Sequence, residues 1–211
     1  MNRRTMISTR LDPTFTRPFL SLALLGAVAA LSGCGGANQP AERPPLEGAA
    51  IGGPFTLVDK DGKPVRWADF AGKYRVVYFG YTFCPDACPM DVGVMMRGFG
   101  KFEKEQAAAA AKVQPIFISI DPARDTPAVV GEFSAAFSPR LLGLTGTPAQ
   151  VAEAAKAFAA YYARGKETPG GYLMDHSRIA YLMAPDGSPI AMLPVDKGPD
   201  AVAEELAKWV K

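Results

Sequence analysis

From Phe55 onward, apolar residues fall in short blocks separated by Gly, Pro and Asp, and the blocks switch between strand-like and helix-like spacing. Residues 55–58 and 65–67 read as short strands around Asp59-Lys60-Asp61-Gly62, whose Asp-Gly step favours a tight turn, so the domain opens with a β-hairpin. Residues 74–81 are β-branched and aromatic, as a strand requires, and stop at Thr82-Phe83-Cys84-Pro85. The Ala-rich stretch over about 91–112 has helical propensity. Residues 113–120 are apolar without alternation, the pattern of a strand buried on both faces; Asp121-Pro122 closes it before a helix over about 126–137. Residues 141–144 predict a short strand, and 148–162 have helical spacing with Pro148 suited to a first turn. Strands over 179–183 and 190–193 flank Pro185-Asp186-Gly187-Ser188 as a second hairpin, and a helix over about 199–210 ends the chain. Strand-helix-strand order demands parallel pairing and the hairpin antiparallel pairing, which together predict an α/β domain with a central mixed sheet flanked by helices.

The first 33 residues obey a different rule. Arg3, Arg4, Arg10 and Arg17 make a basic leader opposed only by Asp12, and residues 19–31 form an uncharged run that is too short to span a bilayer but matches the apolar core of a secretory signal. The run ends in Leu31-Ser32-Gly33-Cys34, which resembles a bacterial lipoprotein box: small residues for the signal peptidase, then a Cys whose sulfur receives lipid. The expected organisation is a lipoprotein signal peptide over 1–33, a lipidated Cys34 heading a flexible Gly, Ala and Pro-rich tether over 34–50, and one domain over 51–211. More than one acyl chain on such a Cys suffices for stable membrane attachment.

Charge and composition narrow the chemistry. Lys and Arg number 23 against 21 Asp and Glu, so no basic excess points to nucleic acid. Three Cys cannot build a disulfide scaffold at this length, and one His excludes a multi-histidine metal site, so any metal chemistry must lean on sulfur. No Walker loop, Rossmann glycine triplet or Gly-x-Ser-x-Gly elbow is present.

Cys84 and Cys88 stand four apart in Cys84-Pro85-Asp86-Ala87-Cys88-Pro89, at the first strand-to-helix loop. With the mixed sheet and flanking helices, a Cys pair there is what a thioredoxin-like α/β domain would look like. Thiols near a helix N-terminus are biased toward thiolate, the form that both binds metal and attacks disulfides. The lone histidine, His176, lies in Asp175-His176-Ser177 just before the strand over 179–183. In thioredoxin-like folds the corresponding loop faces the Cys motif and carries a cis-proline, yet no proline lies between Pro169 and Pro185. Two thiolates and an imidazole form a soft three-ligand set suited to Cu(I), able to take Cu(II) with a further ligand, and tolerable to Zn(II).

Five separated segments, Gly80-Tyr81-Thr82-Phe83-Cys84-Pro85-Asp86-Ala87-Cys88-Pro89, Ile118-Ser119-Ile120-Asp121-Pro122-Ala123-Arg124-Asp125-Thr126, Phe137-Ser138-Pro139, Leu144-Thr145-Gly146-Thr147 and Asp175-His176-Ser177, resemble the Sco/SenC copper proteins in residues and order. The resemblance covers about residues 51–211. It implies a membrane-tethered thioredoxin-like fold that binds one copper, as Cu(I) or Cu(II), through Cys84, Cys88 and His176. It also implies assistance to assembly of the CuA site in cytochrome c oxidase subunit II, by transfer of copper, reduction of the acceptor cysteines, or both. A periplasmic copper donor or thiol reductant would then be a further partner, and the outer, periplasmic face of the inner membrane the expected location.

Other readings of the same residues stay open. In a thiol-disulfide oxidoreductase, Cys84 would attack a partner disulfide and Cys88 resolve it, forming a disulfide on oxidation and leaving His176 dispensable. A redox or copper sensor would use the same pair. Asp86 and Asp175 are placed to orient the imidazole, tune the thiols or meet a partner. Asp121, Arg124 and Asp125 read as a loop-to-helix capping cluster, Met90, Met95, Met96 and Met174 as core filler, and Trp67, Phe70, Tyr78 and Phe79 as packing.

Overall fold

A computed structural model describes residues 42–211; the expected signal peptide, Cys34 and the tether up to residue 41 lie outside the described residues. The chain enters through β1 (Thr56–Val58) and β2 (Pro64–Arg66), an antiparallel pair closed by a turn at Gly62 with φ of 73°. A 3-10 turn, Trp67–Phe70, leads to β3 (Tyr74–Gly80), then α1 (Ala87–Glu105) and the short α2 (Ala107–Ala110). Next come β4 (Val113–Ser119), α3 (Pro127–Phe137), β5 (Leu142–Leu144) and α4 (Pro148–Ala157). A hairpin of β6 (Tyr162–Thr168) and β7 (Gly171–His176) precedes β8 (Ala180–Met183) and β9 (Pro189–Leu193), and α5 (Pro199–Trp209) closes the chain.

The central sheet has the order β5-β4-β3-β8-β9, with β3, β4 and β5 parallel and β8 and β9 antiparallel to their neighbours. It is the mixed α/β sheet expected of a thioredoxin-like fold. β3 and β4 run through its centre, and their near-continuous apolar sequence is explained by burial on both faces: Val76, Val77, Tyr78, Phe79, Ile116, Phe117 and Ile118 are all at most 1% exposed. Burying seven such side chains contributes on the order of 10–20 kcal/mol against chain entropy. No helix among the described residues is long and apolar enough to cross a membrane.

Four expectations need correction. The first helix begins at Ala87, not near Asp91, so Cys88 sits inside its first turn; it breaks at Gln106, whose φ of −136° and ψ of 59° are not helical. The helix from Pro148 stops at Ala157, because Ala159 adopts φ of 50° and turns the chain into β6. Residues 163–176, for which no element is expected, form with Tyr162 the β6–β7 hairpin, whose strands mix half-buried and exposed positions irregularly and so show no apolar period. Residues 42–50, placed in the tether, form turns against the domain: Leu46 packs on the core and donates its N–H to Ile190 O at 3.0 Å.

Candidate metal centre

Cys84 and Cys88 are brought together by the connection between β3 and α1. Gly80 ends β3 without a side chain, and a Cβ there would lie 3.2 Å from Cys88 Sγ, so the missing side chain leaves the space that the sulfur occupies. Helix α1 places Cys88 one residue into its first turn, where its N–H, lacking a helical partner, donates to Cys84 Sγ at 3.3 Å. Cys84 is half-buried and Cys88 fully buried.

The loop holding Cys84 is moored from below by a buried carboxylate. Asp125 accepts from Thr82 N at 3.0 Å, Thr82 Oγ1 at 2.6 Å and Ser119 Oγ at 2.5 Å, tying the Cys loop to the end of β4. The capping role expected of this cluster falls to Thr126, which accepts from Val129 N, while Asp125 is a mooring post. Burial pushes the Asp125 carboxyl up from the usual range. Asp121 pairs with Arg124 at 2.6 Å and accepts from Tyr172 Oη at 2.8 Å, joining β7 to the same corner. Tyr172 lies between two guanidinium groups, Arg124 and Arg164, at 3.7 and 3.8 Å from its ring centre.

His176 ends β7 and reaches the cysteines from across the sheet. Its Nε2 lies 3.1 Å from Cys88 Sγ and its Nδ1 2.9 Å from Ser177 O. A carbonyl oxygen only accepts, so Nδ1 carries the proton and Nε2 turns a lone pair toward the sulfur. Tyr78 and Tyr81 stand edge-on to the ring at 6.2 and 5.9 Å and restrict its tilt. The three donor atoms of Cys84, Cys88 and His176 all lie within 4.8 Å of one another. That is close to the span of one ion's coordination shell, in which donors about 2.0–2.3 Å from a metal lie up to about 4.6 Å apart.

The two sulfurs are not equivalent. Donation from the Cys88 side chain holds the Cys84 thiol well below its ordinary range, with the backbone N–H groups of Cys88 and Asp86 adding to the effect. The same contact, with burial, pushes Cys88 up, so negative charge is favoured on Cys84 over Cys88. Three large side chains close to these residues, in the chain or through hydrogen bonds, are exposed. Phe83 precedes Cys84, Met90 follows Cys88 by two residues, and Tyr161 exchanges hydrogen bonds with Ser177; they are 52%, 59% and 63% exposed. Met90 is thus not the core filler expected, whereas Met95 and Met96 are buried.

Asp86 is exposed and precedes α1 without capping it through its side chain. Asp175 is exposed, and a Cβ on Gly165 would lie 3.1 Å from its carboxylate, so it covers β6 while Ser177 O orients the imidazole. The residues that sequence reasoning overlooked are Asp91 and Arg178. Asp91, buried one turn beyond Cys88, accepts from Arg178 Nε at 2.8 Å, Arg178 Nη2 at 2.7 Å and Tyr78 Oη at 2.9 Å. A carboxylate three residues from a helical Cys was the available signal, but its partner is 87 residues away.

Residues 43–211 match the SCO1/SenC family. The chain is 42% identical to protein SenC of Rhodobacter capsulatus over 158 residues, 75% of this chain and 70% of that one. It is 37% identical over 174 residues to the mitochondrial SCO1 homolog 1 of Arabidopsis thaliana, covering 81% of this chain and spanning about half (51%) of that relative's length. The crystal structure of Arabidopsis thaliana ScoI with copper bound superimposes with a TM-score of 0.70 at 36% identity, over 75% of this chain and 98% of that one.

Proposed function

The chain belongs to the SCO1/SenC family, and on that premise we propose that it is a copper metallochaperone of the bacterial cell envelope, which carries copper on Cys84, Cys88 and His176 and delivers it to the CuA site of cytochrome c oxidase subunit II. The convergence of two sulfurs and one imidazole nitrogen within 4.8 Å carries this reading. Thiolate and imidazole favour Cu(I) over hard cations, and the set also accommodates Cu(II). Cu(I) entering between a thiolate at Cys84 and a thiol at Cys88 releases one proton from Cys88. The half-buried Cys84 is the sulfur that an incoming partner thiolate can meet first, so exchange begins there. The exposed Phe83, Met90 and Tyr161 give the partner an apolar collar to press against during transfer.

A competitive Cu(I) titration of the reduced protein tests the reading. One tight equivalent that weakens in Cys84→Ser and Cys88→Ser, with loss of the Cu(II) form in His176→Ala, is the expected result; copper binding indifferent to all three would overturn it. Deletion of the gene is expected to lower cytochrome c oxidase activity, most in scarce copper. Lipid on Cys34 would hold the domain at the periplasmic face of the inner membrane, and Cys34→Ser is then expected to move the protein into the soluble envelope fraction.

The polarised Cys pair favours a second reading, reduction of partner disulfides. Cys84 thiolate would attack one sulfur of the partner disulfide, the other leaving as a thiol, and Cys88 would then displace the partner from the mixed disulfide and leave Cys84–Cys88 oxidised. In that case His176→Ala leaves activity toward a model disulfide intact.

A further inference from the structure

The Asp91 carboxylate gathers three elements at one point. It projects from α1 one turn beyond Cys88, on the same side of the helix, and its side chain is 5% exposed. Tyr78, from the centre of β3, donates to Oδ2 at 2.9 Å. Arg178, two residues beyond His176 in the link between β7 and β8, closes a two-pronged pair on both carboxylate oxygens at 2.8 and 2.7 Å. The pair therefore bridges α1 to the β7–β8 link beside the Cys88–His176 contact at 3.1 Å. Tyr78 serves both, since its hydroxyl is held by Asp91 and its ring stands edge-on to the imidazole. Among the described residues, the other contacts of His176 do not tie its strand to α1: Nδ1 bonds the adjoining Ser177 carbonyl, and the two tyrosines limit tilt without setting distance.

We propose that the Asp91–Arg178 pair is a positioning device that sets the separation of His176 from Cys88, and so decides how well the site holds Cu(II) relative to Cu(I). This rests on the copper-site reading above. The selectivity follows from coordination chemistry. Cu(I) is satisfied by two thiolates alone, and both of those sulfurs sit in one short segment that the clamp does not span. Cu(II) needs the nitrogen donor and a more nearly planar arrangement, so it is sensitive to where β7 ends. Arg178 is suited to the role because a guanidinium fork fixes direction as well as distance, which a Lys ammonium does not. Its side chain is 54% exposed, so its removal opens no cavity in the core.

The test compares Arg178→Met, Arg178→Lys and Asp91→Asn with wild type in the purified protein, by Cu(I) competition, Cu(II) titration and the thiolate-to-Cu(II) absorption band. In Asp91→Asn the bond from Tyr78 survives while the amide nitrogen, placed where Oδ1 was, faces Arg178 Nη2, donor against donor. Both Arg178→Met and Asp91→Asn are expected to weaken Cu(II) about 10–100-fold and to shift the absorption band. Cu(I) affinity is expected to stay within about threefold of wild type, and Arg178→Lys to recover part of the Cu(II) loss, as a point charge restores distance without direction. Equal losses for the two oxidation states would mean general destabilisation, and no loss for either would mean an ordinary ion pair; each overturns the clamp. His176→Ala runs alongside: if it leaves Cu(II) binding unchanged, the copper-site reading itself fails, whereas its loss of Cu(II) with unaffected clamp variants sinks only the present proposal.

Discussion

Asp125 ties the Cys loop to β4, and the cost of removing it can be worked from its partners. Truncation to Ala strands three donors: the Ser119 hydroxyl, 0% exposed, and the N–H and hydroxyl of Thr82. A buried donor without a partner costs about 1–3 kcal/mol, and Thr82 is half-buried so water relieves part of its share, leaving a loss of about 3–5 kcal/mol. In a domain of this size that lowers the midpoint of thermal unfolding by on the order of 10 °C. Asp125→Asn behaves differently. Its amide oxygen can take the place of Oδ2 and keep Thr82 N and Ser119, while its NH2 faces the Thr82 hydroxyl, which turns to accept; the loss is about 1 kcal/mol or less. The Asn variant also removes a pH dependence. Burial raises the carboxyl above its unfolded value, so the folded state holds this proton more tightly, and stability from this group is full below the unfolded value and declines as pH rises through the folded one. The gap between wild type and Asp125→Asn therefore narrows as pH rises from about 4 toward neutrality. Guanidinium unfolding followed by circular dichroism at several pH values measures all three quantities. An Ala variant within about 1 kcal/mol of wild type, or an Asn variant as damaged as Ala, would refute the mooring argument.

Three further outcomes are expected. Iodoacetamide should label Cys84 at pH 6 almost as fast as at pH 8, because its thiolate is already formed, while Cys88 stays unlabelled in the native protein; a tenfold fall in Cys84 rate per pH unit below 8 would contradict the polarised pair. Arg75 is 2% exposed, stacked 4.6 Å from the Trp67 ring centre, and bonded to Ala184 O and Pro185 O, but both carbonyls also accept backbone N–H groups from Gly187 and Gly72. Arg75→Met therefore strands no acceptor and should leave stability within about 1 kcal/mol by urea unfolding, with a loss above about 2 kcal/mol counting against this. In Gly98→Ala the new Cβ would meet Val202 Cβ at 2.6 Å and Pro199 O at 2.7 Å, forcing α1 and α5 apart; a net loss of about 1–3 kcal/mol is expected despite alanine's better helix propensity, and an unchanged or raised stability would show that the helices can yield.

Where one face of an element is buried, the linear pattern carried the information. β3, β4 and α5 follow from apolar runs or periodicity alone, and Pro127, Pro148 and Pro199 each stand at a first helical turn, where a missing N–H costs nothing. The β6–β7 hairpin escaped because it has no deeply buried face, and the overlong fourth helix because nothing in Ala157-Phe158-Ala159-Ala160 warns of Ala159 turning to positive φ.

The same division runs through the site. Residue types alone determined the candidate ligands, since a chain with one histidine and one close Cys pair offers no other thiolate–imidazole set, and the five separated segments determined the family resemblance. Only the tertiary structure decided which sulfur is the more exposed, that Ser177 rather than Asp175 bonds the imidazole, and that Asp91, Arg178 and Asp125 hold the pieces in place. The first two depend on burial and on how the loops turn, and the last on hydrogen bonds between residues 43 and 87 positions apart. Both are set by how the sheet brings distant segments to one edge, so neither leaves a local pattern in the chain.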